Sequence, residues 1–323
     1  MVKRLQNRIA ESRLTLPLVA VYGLLVCVAC GFFIMGLDSN MWKDQEWLSL
    51  VVLTGLSTLF MVELNNSNSL IRIYSRTVSC SFLMLTLMAA FQFTSLHGSL
   101  VQLAFIVFYL FFLRAYQNKQ DVGNVYSAFL AIGVASIWFI QILYFVPLFW
   151  LLLGIRVQAF SGKTLFASIL GLITPYWFLL VYFLYQADYR TPIRHFLELG
   201  QFAKPADIFI LSEHQLVTVA FVVLLALTGM IHFLRQSSND KLRTQMVYEL
   251  FIMVTLYTIA FLVLQPQHYD FLFRILVVNT ATFIGHFIAL TRTKITNVAF
   301  IVIVLSTLFL TAYNLWNLSL MLS

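Results

Sequence analysis

The feature that most constrains this chain is a succession of uncharged apolar stretches, such as residues 16–37, 216–234 and 295–323, separated by short polar breaks. Each has about the length, roughly 20 residues, that a helix needs to cross ~30 Å of hydrocarbon. No water reaches backbone N–H and C=O groups inside hydrocarbon, so a spanning segment must satisfy them itself, and runs this long do so as helices. Only 10% of the 323 residues are charged and 61% are hydrophobic. A soluble domain carries about 25% charged residues, so this chain has too little polar surface to coat a globule in water. The expected fold is all-α: a polytopic transmembrane bundle of about eleven spans, forming one domain over residues 1–323.

Spans are expected near 16–36, 47–64, 78–95, 99–116, 125–142, 145–160, 165–186, 214–234, 246–264, 271–290 and 295–317. The connections test this register, because cytoplasmic loops hold the excess of Lys and Arg. Alternate connections carry Lys3, Arg4, Arg8 and Arg13; Arg72 and Arg76; Arg114 and Lys119; Arg156 and Lys163; Arg235, Lys241 and Arg243; and Arg292 and Lys294, fifteen of the twenty basic residues. The opposite connections hold Lys43, Arg190, Arg194 and Lys204, while Arg274 lies within a span. The N-terminus is therefore expected in the cytoplasm and the C-terminus outside. The net charge of +7 follows from this bias. Basic residues spread over six loops with no aromatic-interleaved patch, which speaks against nucleic acid as a partner.

The basic N-terminus followed by Val28-Ala29-Cys30 has the outline of a signal peptide, but the apolar run continues through Met35, so a first transmembrane helix is the better reading. Cys27, Cys30 and Cys80 all lie in apolar spans and read as small hydrophobes. Two places are irregular. Between Asp121 and Arg156 two crossings must fit in so few residues that each helix is barely long enough, which leaves two short helices or a re-entrant hairpin open. Residues 187–213 form the one long external connection, where Ile193, Phe196 and Leu197 alternate with Arg194 and Glu198 as in an amphipathic helix, either capping a cavity or resting on lipid.

No nucleophile elbow, phosphate loop, HExxH helix or CxxC pair is present. Candidate chemistry therefore rests on polar groups in or near the membrane, which are costly there. The first external loop gathers Asp38, Asp44 and Glu46 beside Trp42 and Trp47, a group able to hold a divalent cation or act as a base. The tenth span begins with His268, Asp270 and Arg274, the last two one turn apart as an ion pair or a phosphate-holding group. Arg194 and His195 on the amphipathic segment are further substrate-binding candidates. Asn279 and His286 lie deeper in the tenth span, and Gln92, Gln102 and Gln141 suit hydrogen bonds between helices. No chain of intramembrane carboxylates marks a coupling-ion path, which weakens a solute-transporter reading.

Residues 65–116, the run Ala128–Ser136 with Gly133 and Ala135, the run Phe145–Leu151 with Pro147, and Gly171–Trp177 with Pro175-Tyr176 stand in an order that resembles a family of uncharacterised polytopic inner-membrane proteins from Bacteroidota. The same order is more distantly similar to the C-type membrane glycosyltransferases, which take sugars from polyprenyl-phosphate donors. The resemblance implies a bacterial inner-membrane protein of the cell envelope that handles a lipid-linked sugar or glycolipid at the external face. It also implies that Asp38, and less directly Asp44 or Glu46, is the catalytic acid of the first external loop. The shortness of that loop motivates the alternative of a non-enzymatic subunit or scaffold bound to a membrane-protein partner.

Overall fold

The computed structural model describes residues 4–35, 45–188, 190–202 and 210–322. Among them there are thirteen α-helices and no strand: α1 Leu5–Glu11, α2 Thr15–Met35, α3 Gln45–Asn68, α4 Thr77–Met88, α5 Leu96–Arg114, α6 Val122–Ala135, α7 Val146–Ile155, α8 Gly162–Tyr185, α9 Arg190–Leu197, α10 Glu213–Gln236, α11 Leu242–Leu264, α12 Tyr269–Leu290 and α13 Lys294–Leu322. Eight of the thirteen are long and apolar enough to cross a membrane. The protein is an integral membrane protein on that ground.

Eight of the eleven expected spans are matched by helices of spanning length, whereas the helices at 78–95, 125–142 and 145–160, namely α4, α6 and α7, are shorter. Helices α4, α6 and α7 give way to 3₁₀ turns at residues 90–94 and 140–145, or to irregular chain at 136–139. Helix α6, with fourteen residues, is only ~21 Å long at ~1.5 Å per residue. The chain from α6 through α7 nevertheless leaves the basic-residue end of the bundle and returns to it, with α6 packed between α5 and α8 rather than on α7. At that end the Gln117 amide donates to the Val157 carbonyl at 2.8 Å. At the other end the Gln141 side chain donates to the Glu198 carbonyl at 3.3 Å. Two short helices joined by a turn and a 3₁₀ segment are thus what lies between Asp121 and Arg156.

Helix α12 is the hub. It packs against α4, α5, α10 and α11, and 94% of its span is buried, against 22% for α13. Without a hydrophobic drive between helices in lipid, close backbone approach supplies much of the packing. Gly285 meets α4 so closely that an added Cβ would lie 2.7 Å from Val78 Cα, and Gly229 of α10 meets Phe283 of α12 in the same way. Gly133 and Gly171 form the matching crossing of α6 on α8, each facing the other helix's backbone.

The loops that carry the basic residues come together at one end. The Arg4 guanidinium donates to the Arg292 carbonyl, Arg72 to the Asn239 carbonyl, Arg243 to Asn68 and the Leu113 carbonyl, and Ser161 to the Lys119 carbonyl. Arg156 pairs with Glu249 there as well. We call this the basic end.

Candidate functional site

Of the residues singled out in the sequence, Asp38 and Asp44 lie outside the described residues. Glu46 sits in the first turn of α3, exposed, and its neighbour Trp47 donates its indole N–H to the Cys27 carbonyl of α2 at 3.3 Å. Among the described residues no group of three or more His, Cys, Asp or Glu could hold a metal ion.

Arg274 is buried, with 2% of its side chain exposed, while Asp270 beside it is 33% exposed. Nε donates to Asp270 at 3.2 Å, Nη1 to Ser99 Oγ at 3.1 Å, and Nη2 to the Gln92 carbonyl at 2.6 Å. The cause lies in α4, which ends at Met88 and leaves a 3₁₀ link whose carbonyls no helix satisfies. A guanidinium, with donors in a planar fork, can serve several of these groups at once. Gly98 makes room for it, since a Cβ there would stand 2.4 Å from Arg274 Nε. Every guanidinium nitrogen is thus engaged by the protein, and Asp270 is the partly exposed member of the pair.

His268 and His195 approach the same short link, residues 136–139, from two sides. His268 packs against Phe139 at 5.5 Å between ring centroids, and Gln267 beside it donates to the Gln201 carbonyl at 3.3 Å. His195 Nε2 lies 3.1 Å from the Ser136 carbonyl. The hydroxyl of Tyr144 donates to the Leu199 carbonyl. Residues 190–202 therefore dock on the link between α6 and α7 and the start of α12, while Ile193, Leu197 and Phe202 remain more than half exposed. One face of the segment thus packs on protein while the other carries exposed apolar side chains. Arg194 is exposed. Asp188 caps α9, accepting from the Thr191 hydroxyl at 2.6 Å and from the Arg190 and Thr191 amides. These bonds, the Thr191 hydroxyl first, hold its carboxyl below its ordinary value.

Two features escaped sequence reasoning. One is a buried pair at the basic end: His286 Nε2 lies 3.0 Å from Asp240 Oδ2, the side chains 1% and 3% exposed, with His232 packed alongside at 5.7 Å. His286 was visible as a polar group in a span, but its partner comes from the loop after α10, and no periodicity links the two.

The other is an apolar cleft of about 590 Å³ between α1, α2, α4, α10, α12 and α13. Three of its wall hydroxyls are spent on backbone carbonyls: Thr77 donates to Gly285 at 2.9 Å, Thr307 to Ile303 at 2.7 Å, and Thr15 to Ile9 at 2.5 Å. Most of the remaining wall is aliphatic. Along α4 the cleft runs from Thr77 to Leu85, ~12 Å at ~1.5 Å per residue, most of the ~15 Å of one leaflet. At its basic-end mouth stand Arg8 and Ser12 of the N-terminal segment. Helix α1 is pinned there by Gln6, whose Nε2 donates to the Ile288 carbonyl at 2.7 Å and to Thr291 Oγ1 at 2.6 Å. Ser75 ties the other end of α1, donating to the Ala10 carbonyl at 2.7 Å. The face that α1 buries is Gln6, Asn7 and Ala10, which no apolar periodicity announces, and sequence reasoning treated the segment only as a basic flank.

No family model, curated protein or solved structure matches this chain.

Proposed function

We propose that this integral membrane protein handles a lipid whose head group is a phosphate ester, and that the cleft beside α1 is where the lipid is held. The observation that carries the reading is the combination of an apolar cleft one leaflet deep with a cationic side chain, Arg8, at its mouth. Apolar walls alone would not retain a lipid, because lipid tails outside are as apolar as the wall. Discrimination has to come from the head. A charge-assisted hydrogen bond from a guanidinium to phosphate is worth ~1.5–3 kcal/mol, or roughly tenfold or more in occupancy over a neutral head. A polyprenyl-phosphate, a phosphate-bearing glycolipid and a phospholipid all meet these requirements.

A second reading, supplied by the family resemblance, is transfer of a sugar at the external face of a bacterial inner membrane, at the end of the bundle opposite the cleft mouth. In it Asp38, Asp44 and Glu46 are the acids, with a divalent cation among them if one is used. Asp270, His268, His195, Arg194 and Arg274 are the polar groups near the sugar. The convergence of His195 and His268 on residues 136–139, under a docked α9, supports a substrate surface at that end.

The test is native mass spectrometry of the full chain released from mixed-lipid nanodiscs. The wild type is expected to retain one phosphate-bearing lipid, Arg8→Gln to lose it about tenfold, and the cleft-filling Met84→Trp to lose it altogether. Retention of a lipid without phosphate, such as a diacylglycerol, equal to that of the phosphate-bearing lipids and unchanged by either substitution, overturns the proposal. A stoichiometric protein partner with no retained lipid would favour the scaffold instead.

A further inference from the structure

A second cavity, of about 530 Å³, opens at the basic end and is lined by Arg72, Arg292, Gln236 and Asn239 together with the last residues of α12. Two arginines from different connections face one space, two carboxamides add donors, and no carboxylate lines it. Arg72 is braced by donating to the Asn239 carbonyl at 3.2 Å. The turn that carries Asn239 is itself fixed, since the next residue, Asp240, is locked to His286 at 3.0 Å and its carboxylate is 3% exposed. Gln245 holds the same turn, donating to the Ser237 and Asp240 carbonyls at 2.8 Å.

The C-terminal end of a helix ordinarily repels an anion, and α12 ends at this cavity. Two of its last carbonyls are taken, Thr291 Oγ1 donating to Phe287 at 2.8 Å and Gln6 to Ile288, so the end that Ala289 and Leu290 bring to the cavity sets a reduced negative pole against two guanidinium charges. The ion pair of Arg292 with Glu11 is long, at 4.0 Å, a weak claim on a guanidinium that is largely exposed. What remains is a concave site, of a size that small ligands occupy, with surplus positive charge in planar forks matched to phosphate oxygens.

We infer that this cavity is a phosphate-binding site on the basic end, separate from the lipid cleft, with Arg72 and Arg292 as its ligands and the Asp240–His286 pair as the element that positions its floor. The chemistry recognised is a phosphate or pyrophosphate group, borne by a soluble molecule or by a lipid head lying at the surface.

The experiment uses the full chain in nanodiscs and titrates inorganic pyrophosphate by calorimetry in zwitterionic lipid, alongside enrichment of phosphatidylglycerol from mixed vesicles. The expected result is one saturable pyrophosphate site, weakened about tenfold or more by Arg72→Gln or Arg292→Gln and unaffected by Lys119→Gln, which removes the same charge elsewhere on that end. Arg72→Lys and Arg292→Lys keep the charge but lose the fork, so they should bind a few-fold more weakly than wild type; they carry the test if the Gln variants do not fold. Arg8→Gln, which probes the lipid cleft, should leave this binding intact. Enrichment of phosphatidylglycerol that depends on Arg72 and Arg292, without pyrophosphate binding, assigns the phosphate to a lipid head. Absence of both signals, or binding that survives the Arg72→Gln/Arg292→Gln double variant, overturns the inference.

Discussion

Replacing Arg274 with Met separates a structural role for this arginine from a substrate role. The substitution keeps an unbranched apolar stem and removes the guanidinium, and with it the bonds to Asp270, Ser99 Oγ and the Gln92 carbonyl. These three charge-assisted bonds and a longer fourth, from Nη2 to the Ser95 carbonyl at 3.4 Å, set an upper bound of about 6–12 kcal/mol at ~1.5–3 kcal/mol each. Two effects reduce it. Asp270 is one third exposed, so water and counterions compensate part of its lost pairing. The carbonyls of the 3₁₀ link can also recruit water, because the link lies near an end of the bundle. A net cost of about 3–5 kcal/mol is expected, the range for breaking a buried pair on one side. Arg274→Lys should fall between, keeping a point charge without the fork. The assay is equilibrium unfolding of the purified chain in mixed micelles, with backbone exchange of residues 89–99 followed in parallel. A stability within about 0.5 kcal/mol of wild type, with unchanged protection of that link, would refute the reasoning and return Arg274 to the pool of groups free to hold a ligand.

Gly285→Ala should cost about 1–3 kcal/mol of overpacking, since its Cβ would lie 2.7–2.8 Å from Val78 backbone atoms, whereas Gly55→Ala, with nothing within 4 Å, should be neutral or slightly stabilising in the same unfolding assay. Tyr109→Phe removes the 2.7 Å bond to Asn279 Oδ1 in the buried centre and should lower stability by about 1–2 kcal/mol, with no change in lipid retention. Asp188→Ala should loosen α9, read as faster external proteolysis near residue 190. Because its carboxyl is held below the ordinary 3.8, the Asp188 contribution is fully present above that pH and is lost as the pH falls through the lower folded value. Protection of α9 in the wild type should therefore persist at pH 5, and a loss there would count against the cap.

The register of the spans was legible because each is set by length and polarity over about twenty residues. The ends were less so. Residues 78–95 read as one helix, whereas α4 stops at Met88 and a 3₁₀ turn follows, a break stabilised by Arg274 from a helix some 180 residues away. No local propensity announces such a partner. At the end opposite the basic loops the i,i+4 pair of Asp270 and Arg274 was legible, whereas the approach of His195 and His268 to a common link was not. That Arg274 spends its donors on backbone carbonyls depends on Gly98 of α5, which pattern reading passes over.

Sequence by itself determined that the chain is helical and lives in a membrane, where its helices fall, and toward which end its positive charge is weighted, since each follows from transfer free energy summed along the chain. It could not determine which helix is central. Helix α12 is the least hydropathic of the eight long spans and by far the most enclosed, because lipid and protein interior are equally apolar and hydropathy does not distinguish them. Only the tertiary structure decided that Arg274, Asn279 and His286 share this enclosed helix with partners from α5 and the loops. It alone also showed that α1, a seven-residue helix too short to be stable by itself, is pinned across the bundle so that Arg8 stands at the mouth of a cleft built from six helices distant in sequence.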